Sequence, residues 1–304
     1  MISDAISGEL VPMGPPTNAH RARAAFLARY SNPHTFKAYM AAVDRFYRWC
    51  DAVAVDPLAV ERGHLEFYGR HLEQLGLAKS TVAHHLNALA GLFKYAHLDG
   101  LIPSDPMAHV RRPQVPREST TNGLTRTEFA DILKAAEPTA RDHALVCLLG
   151  LCGLRVSEVA GMDVEHLGFE RGYSTVLVTR KGGKSQLIPL SQQTAWAVDR
   201  LQREHELVTG PLFLRRDGHR MDRKTADRWV KRLAAAASVR KRISPHSFRH
   251  TFVTLSLDAG VSERDIQNST GHADPRMISY YDRNRASLAR NATHALTAYV
   301  AGAA

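Results

Sequence analysis

The sequence predicts a mainly α-helical protein with a small antiparallel β-sheet in its C-terminal half. At 304 residues the chain is long enough for two domains that each bury a core. Apolar residues recur at helical spacing over most of its length. One stretch, STVLVTRKGGKSQLIPL, instead alternates as strands do around a Gly-Gly turn. We therefore expect an all-helical N-terminal domain followed by a mixed α+β domain.

The N-terminal domain is predicted at residues 18–102. Residues 1–17 are rich in Gly, Pro and Ser, which predicts a flexible N-terminus. The stretch SNPHTFKAYMAAVDRFYRWC has aromatic and apolar residues at helical spacing and a proline suited to a first turn. Two more helices are predicted, one near 61–75 and one in KSTVAHHLNALAGLFKYAHL, which Gly100 ends.

Residues 103–122 are predicted to link the two domains. The segment contains four prolines and three arginines and shows no apolar period. Two interpretations remain open: a solvated tether, or a strap whose arginines, Arg111 and Arg112 among them, lie along a phosphate backbone.

The second domain, residues 123–304, begins with a helix for which Thr125 and Glu128 form a capping box. A buried helix then ends before Gly153, and the strand pair follows it. The last predicted helix has Asp274 as its cap and Pro275 as its first residue. The buried helix is predicted at 141–152, and further helices are predicted at 191–208, 222–237, 246–259 and 262–268.

Charge and cysteine content restrict the class of protein. The chain carries 40 Lys and Arg against 30 Asp and Glu, and the excess lies mostly after residue 113, which favours a polyanionic partner such as nucleic acid. Cys50, Cys147 and Cys152 are an odd number in apolar contexts, typical of reduced thiols rather than of a disulfide framework. No signal peptide or bilayer-length apolar run is evident, so we expect a cytoplasmic protein.

Two short motifs predict an anion site. In GLRVSEV, Arg155 and Glu158 lie three residues apart at a helix start, where the carboxylate can hold the guanidinium in place. In HSFRH, His246 and Arg249 share one helical face and would repel each other unless an anion lay between them.

Two further motifs have ordinary structural interpretations when taken alone. TRKGGK places Lys181 at the hairpin tip, with Lys184 beside it, as in many exposed turns. GHADPRMISYY contains His272 and the pair Tyr280 and Tyr281, and most such tyrosines only pack.

Together and in this order, GLRVSEV, TRKGGK, HSFRH and GHADPRMISYY resemble the catalytic motifs of the tyrosine recombinases, also called phage-type integrases. The resemblance covers about residues 123–290, and the helical region before it is similar to the family's SAM-like core-binding domain. It implies site-specific breaking and rejoining of DNA without metal, ATP or another cofactor. The implied catalytic residues are Arg155, Lys181, His246, Arg249, His272 and Tyr281, the last being the nucleophile nine residues after His272.

The residue types suit phosphoryl transfer. Arg155 and Arg249 would clamp the phosphate with paired hydrogen bonds, His272 would add a donor, and Glu158 would orient Arg155. His246 would accept the phenol proton of Tyr281. Lys181 would protonate the departing 5′-oxygen, leaving a 3′-phosphotyrosyl ester that a second strand can reverse. Four residues are expected to contact DNA outside the reacting group: Arg111, Arg112, Lys184 and Arg276.

The resemblance also implies partners: duplex DNA with an inverted-repeat core site, four protomers on two sites that exchange strands through a Holliday junction, and possible accessory DNA-bending or directionality factors. The C-terminal segment is expected to dock either on a neighbour or on its own domain. Because only 17 residues precede the first domain, we expect the simple two-domain form. Thr270 and Asp282-Arg283 depart from the common family pattern, which favours integration, excision or resolution of a phage, plasmid or mobile element over Xer-type chromosome dimer resolution.

Three alternatives stay open. The first is a catalytically silent DNA-binding protein of the same fold. The second is a metal hydrolase that uses His246, His250 and His272, although Ser247 stands where a zincin has its glutamate. The third is a type IB topoisomerase, which uses the same chemistry without a partner site.

Overall fold

The chain divides into two compact units, residues 1–116 and 117–304, and the division falls within the segment 103–122. A computed structural model describes residues 17–115, 123–180, 183–271, 278 and 292–302.

The described residues of the first unit form four helices, α1 (Asn18–Ala28), α2 (Pro33–Ala52), α3 (Arg62–Gln74) and α4 (Lys79–Leu98). Its α3 and α4 lie where the sequence predicts helices, and Gly100, at φ +68°, follows the end of α4. Helix α1 was not predicted; its first turn is capped by Thr17, whose hydroxyl accepts a hydrogen bond from the His20 N–H at 3.3 Å.

Aromatic rings dominate the core of the first unit. Phe46 of α2 is fully buried, and its ring meets Trp49, Tyr68 and Phe93 with centroids 6.1, 5.2 and 5.8 Å away. These rings come from α2, α3 and α4, so the aromatic cluster joins the three helices.

The first half of the segment predicted as the linker packs on the core of the first unit. Met107 and Val110 are buried in the core of the first unit. The carboxylate of Asp105 accepts a hydrogen bond from the Met107 N–H at 2.8 Å, and that of Glu66 accepts one from the Arg111 N–H at 3.1 Å. Prolines and polar residues hide the two apolar anchors in the sequence, which is why the segment resembled a tether.

The second unit contains both helices and the β-sheet. The predicted capping box is present, since Glu128 accepts from the Thr125 N–H at 2.7 Å and Thr125 accepts from the Glu128 N–H at 3.2 Å. The helix predicted from Asp274 and Pro275 lies outside the described residues. The described helices of this unit are α5 (Arg126–Ala136), α6 (Ala140–Gly150), α7 (Val156–Ala160), α8 (Gln192–Glu204), α9 (Arg223–Ala236), α10 (Pro245–Asp258), α11 (Glu263–Thr270) and a last helix, Ala292–Ala301.

Helix α6 forms the centre of the second unit. It is buried along almost its whole length and packs against α5, α7, α8 and α10. This explains the continuous apolar run ALVCLLG in its last two turns, since a helix surrounded on all sides has no exposed polar face there.

The predicted antiparallel hairpin is present and gains a third strand. The strands are β1 (Leu167–Glu170), β2 (Tyr173–Thr179) and β3 (Ser185–Pro189), in the order β1-β2-β3. Val176 pairs with Ile188, and both turn inward to the core together with Val178. The four-residue β1 is too short to show alternation, so the sequence did not reveal it.

The three cysteines are buried free thiols, and burial raises their pKa. Among the described helices, none combines the length and the apolar character needed to cross a bilayer.

Candidate active site

Arg155 and Glu158 form the predicted pair at the start of α7. The Glu158 carboxylate accepts from Arg155 Nη1 at 2.7 Å and from the Arg155 backbone N–H at 2.8 Å. Just before them, Gly153 turns the chain at φ +62°, where a β-carbon would lie 2.5 Å from the Phe252 ring. Glycine is therefore needed there both for its backbone angle and for space, and it delivers Arg155 to the start of α7.

Arg249 is the buried arginine of the site, with only 2% of its surface exposed. It lies on α10, and its guanidinium donates to the Gly153 carbonyl at 2.7 Å and to the Thr270 carbonyl at 2.6 Å. One side chain therefore ties the turn before Arg155 to the end of α11. A lysine could not span two such acceptors in fixed directions.

The C-terminal end of α11 collects side-chain donors from four places in the unit. Carbonyl groups at a helix C-terminus lack helical partners and carry partial negative charge, so guanidinium groups suit them. The four consecutive carbonyls accept as follows: Asn268 from Gln186 at 2.9 Å, Ser269 from Arg180 at 2.7 Å, Thr270 from Arg249 at 2.6 Å and Gly271 from Arg155 at 3.4 Å.

Thr270, which departs from the family pattern, fits this end of α11. Its side chain is buried, and its hydroxyl donates to the Ile266 carbonyl at 2.6 Å. This hydrogen bond satisfies the hydroxyl, so a polar residue is accommodated at a buried position.

Arg180 is a member of the site that sequence reasoning missed. It is 8% exposed, and its Nη1 donates to Glu158 at 2.9 Å while its Nε donates to Gln186 at 3.0 Å. A signal existed in the strand pattern: Val176 and Val178 turn inward, so two-residue alternation also turns Arg180 inward. A charged residue at an inward position predicts a buried counter-charge.

A cleft of about 520 Å³ opens beside these residues. Four of its lining residues are basic: Arg155, Arg249, Arg223 and Lys224. Among the described lining residues Asp227 is the one carboxylate, and it already pairs with Lys231 at 2.5 Å. The cleft is therefore suited to an anion.

His246 lines the same cleft from the first turn of α10. Desolvation of the ring, followed by the positive charges of Arg249 and Arg155, lowers the pKa of His246. This shift favours the neutral imidazole, which is the form able to accept a proton.

The structure thus brings together Arg155, Glu158, His246 and Arg249. It also adds Arg223 and Lys224, at the N-terminal end of α9, for which no motif in the sequence gave a signal. The other predicted catalytic and contact residues of this unit, Lys181, His272, Arg276 and Tyr281, lie outside the described residues.

The remaining predicted DNA contacts are exposed. Lys184 lies just before β3, and its backbone carbonyl accepts from the Arg180 N–H at 2.7 Å. Arg111 and Arg112 belong to the first unit, where they line a depression together with Arg70.

The histidines of the alternative zinc hypothesis differ in environment. His246 lies in the cleft, whereas His250 is buried, with its ring so close to Gly123 that a β-carbon there would lie 2.6 Å from Nδ1. Within the described ranges, no group of three or more His, Cys, Asp or Glu side chains is placed to hold a metal ion.

Comparisons with known proteins agree with this geometry. Residues 122–287 match the phage integrase family, and residues 20–99 match the phage integrase N-terminal SAM-like domain. The chain is 32% identical to the tyrosine recombinase XerD of Pseudomonas aeruginosa over 259 residues, which cover 82% of this chain and 86% of the relative. It is 29% identical to the XerD of Chlorobaculum tepidum over 274 residues, covering 85% and 89% of the two chains.

Solved structures share the fold. A XerH site-specific recombinase in a post-cleavage complex with a palindromic difH substrate superposes with a TM-score of 0.70 at 19% identity, covering 90% of this chain and 84% of that one. A lambda integrase tetramer bound to a Holliday junction gives a TM-score of 0.69 at 18% identity, covering 87% and 76%. The family matches, the cationic cleft and the helical fold with its three-stranded sheet together show that this chain belongs to the phage integrase family and is a site-specific tyrosine recombinase.

Proposed function

We propose that the cleft binds the scissile phosphodiester of duplex DNA between Arg155 and Arg249. The observation that supports this most strongly is the anchoring of both guanidinium groups to adjacent carbonyls at the end of α11, beside a cleft whose carboxylate is already paired. Fixed donors stabilise a phosphoryl-transfer transition state because they need no reorganisation as charge develops. His272, which follows Gly271 in the sequence, is proposed as a further donor to the same phosphate.

Tyr281 is the proposed nucleophile. Its phenolic oxygen attacks phosphorus while the bond from phosphorus to the 5′-oxygen breaks, and the phenol proton passes to the neutral imidazole of His246. Lys181 donates a proton to the leaving 5′-oxygen. The products are a 3′-phosphotyrosyl ester and a free 5′-hydroxyl, and attack by the 5′-hydroxyl of a second strand restores the backbone.

Contacts outside the reacting group would position the duplex. Arg223 and Lys224 extend the cationic cleft beyond the clamp and suit the neighbouring phosphates. Lys184, Arg276, Arg111 and Arg112 are proposed as further backbone contacts. The DNA is proposed to carry an inverted repeat, and four protomers on two sites would exchange strands in the integration, excision or resolution of a mobile element, plasmid or phage.

Covalent trapping tests this proposal. The binding site is first selected from a random-sequence duplex library on the purified protein, and the selected site is then synthesised with a nick beside the cleavage point, so that the short 5′-fragment diffuses away. We expect a protein–DNA adduct on a denaturing gel. Tyr281→Phe should bind this duplex and form no adduct.

Tyr280→Phe provides the matched control because it removes the adjacent hydroxyl and should keep the adduct. Loss of the adduct in Tyr280→Phe but not in Tyr281→Phe would move the nucleophile. Binding without any adduct in the unaltered protein would favour the silent DNA-binding alternative.

A further inference from the structure

We propose that Arg180 is a positioning residue for strand cleavage, acting through Glu158 on Arg155. It engages one oxygen of the Glu158 carboxylate and so keeps the Arg155 guanidinium from bonding both oxygens. The inference rests on the proposed function, since it concerns how Arg155 is presented to the phosphate.

The hydrogen bonds of Glu158 carry the first step. Its Oε1 accepts from Arg155 Nη1 at 2.7 Å, while Oε2 accepts from Arg180 Nη1 at 2.9 Å and from the Arg155 backbone N–H at 2.8 Å. A guanidinium and a carboxylate otherwise favour two parallel hydrogen bonds. With Oε2 engaged by Arg180 and by the Arg155 backbone N–H, the Arg155 guanidinium uses a single nitrogen on Glu158. Its Nη2 donates to the Gly271 carbonyl at 3.4 Å, and the side chain lines the cleft.

Charge carries the second step. Glu158 and Arg180 are both buried, with side chains 3% and 8% exposed, so water screens them poorly. Arg180 neutralises the carboxylate, and the positive charge of Arg155 therefore remains available to a phosphate. Without Arg180 the carboxylate would cancel that charge.

The fixed position of Arg180 carries the third step. Its Nε donates to Gln186 on β3 at 3.0 Å, and its Nη2 donates to the Ser269 carbonyl at 2.7 Å. It also lies against Gly271, where a β-carbon would come within 3.0 Å of Nε. Together with Glu158 of α7, β3 and the end of α11 thus hold the side chain in one orientation, as a positioning residue requires.

The test compares two versions of the nicked duplex in single-turnover cleavage. One has an ordinary scissile phosphodiester, and the other has a methylphosphonate, which is uncharged and depends less on cationic donors. We expect Arg180→Met to slow cleavage of the phosphodiester by about 10- to 100-fold. On the methylphosphonate, the ratio of the unaltered protein's cleavage rate to that of Arg180→Met should be about tenfold or more smaller than on the phosphodiester. The same ratio for Arg155→Ala should fall in the same way. The double variant should be no slower than Arg155→Ala alone, because both changes act through one group.

Three results would overturn the inference. The Arg180→Met defect could persist on the methylphosphonate, or it could add to that of Arg155→Ala. It could also recover on a duplex with sulfur at the 5′-bridging position, which leaves without a proton and would assign the effect to Lys181. If the cleavage defect of Arg155→Ala is as large on the methylphosphonate as on the phosphodiester, the proposed phosphate clamp is wrong, and the inference fails with it. If the defect shrinks for Arg155→Ala but not for Arg180→Met, only the inference fails.

Two more variants separate positioning from folding. Arg200→Met is the matched control, because Arg200 on α8 also bonds a carboxylate and backbone oxygens, those of Glu204, Glu137 and Pro138, and does not line the cleft. It should lower thermal stability and leave both cleavage rates unchanged. Arg180→Lys keeps the positive charge but loses the paired donors of the guanidinium. It should therefore slow cleavage less than Arg180→Met does, and its defect should also shrink on the methylphosphonate. If Arg180→Met does not fold, the absence of relief in Arg180→Lys overturns the inference.

Discussion

The two units bury different chemistry. In the first unit the described core is almost entirely apolar and aromatic, with His85 as its one buried polar side chain. The second unit buries full charges, and three of them, Glu158, Arg180 and Arg249, meet near the end of α11.

This difference locates the chemistry. A buried charge costs desolvation free energy that a hydrophobic core does not, and it is tolerated only where hydrogen bonds surround it. The first unit has positions that any well-fitting apolar side chain can fill. The second has positions at which the direction of each N–H decides whether the site can bind phosphate.

The largest effect should come from truncating an aromatic side chain in the core of the first unit. We expect Phe46→Ala to lower the free energy of unfolding of the first unit by about 3 to 5 kcal/mol, since it empties a fully buried position between three helices. Chemical denaturation measures this change. Phe46→Leu, the control, should cost less than about 1.5 kcal/mol. If the two variants were equally stable, the aromatic cluster would not hold the unit together.

A conservative change at the buried arginine should come next. Arg249→Lys keeps the charge but cannot bond the Gly153 and Thr270 carbonyls and a phosphate together, so cleavage should fall by about 100- to 1000-fold. Single-turnover adduct formation measures it. Arg141→Lys is the control, since Arg141 lies over the Trp229 ring away from the cleft and should leave the rate unchanged. An Arg249→Lys protein with more than about a tenth of normal activity would contradict the fork requirement.

The smallest effect concerns pH. His143 of α6 is buried, neither ring nitrogen has a hydrogen-bond partner within the described chain, and desolvation lowers its pKa. Its folded pKa lies below the unfolded value of about 6.5, so its contribution to stability is present above that pH and is lost as pH falls below it. Thermal unfolding between pH 8 and pH 5 should show a decline that His143→Leu makes shallower. An unchanged slope would mean that His143 binds protons equally in the folded and unfolded states.

Much of the fold and part of the site followed from local patterns. Hydrophobic periodicity and capping residues predicted α3, α4, α5 and the hairpin, because these signals depend only on residues that are neighbours in the sequence. The spacing of Arg155 and Glu158 predicted their ion pair for the same reason. Helix α1 and strand β1 were missed, since one is only weakly amphipathic and the other is four residues long.

Long-range contacts account for the rest. Met107 and Val110 look like linker residues until the core that they fill is known. Arg223 and Lys224 reach the cleft only because α9 packs beside α7 and α10. No local pattern encodes such an approach, because it depends on how several helices pack together.

The order and spacing of the motifs determined by themselves that this chain is a tyrosine recombinase and which residues are candidates for its chemistry. Only the tertiary structure decided that Arg180 shares Glu158 with Arg155, and that four consecutive carbonyls at the end of α11 accept donors from Gln186, Arg180, Arg249 and Arg155. The physical reason is that a motif specifies which groups are present, whereas the direction and charge balance of a buried guanidinium depend on partners far away in the sequence.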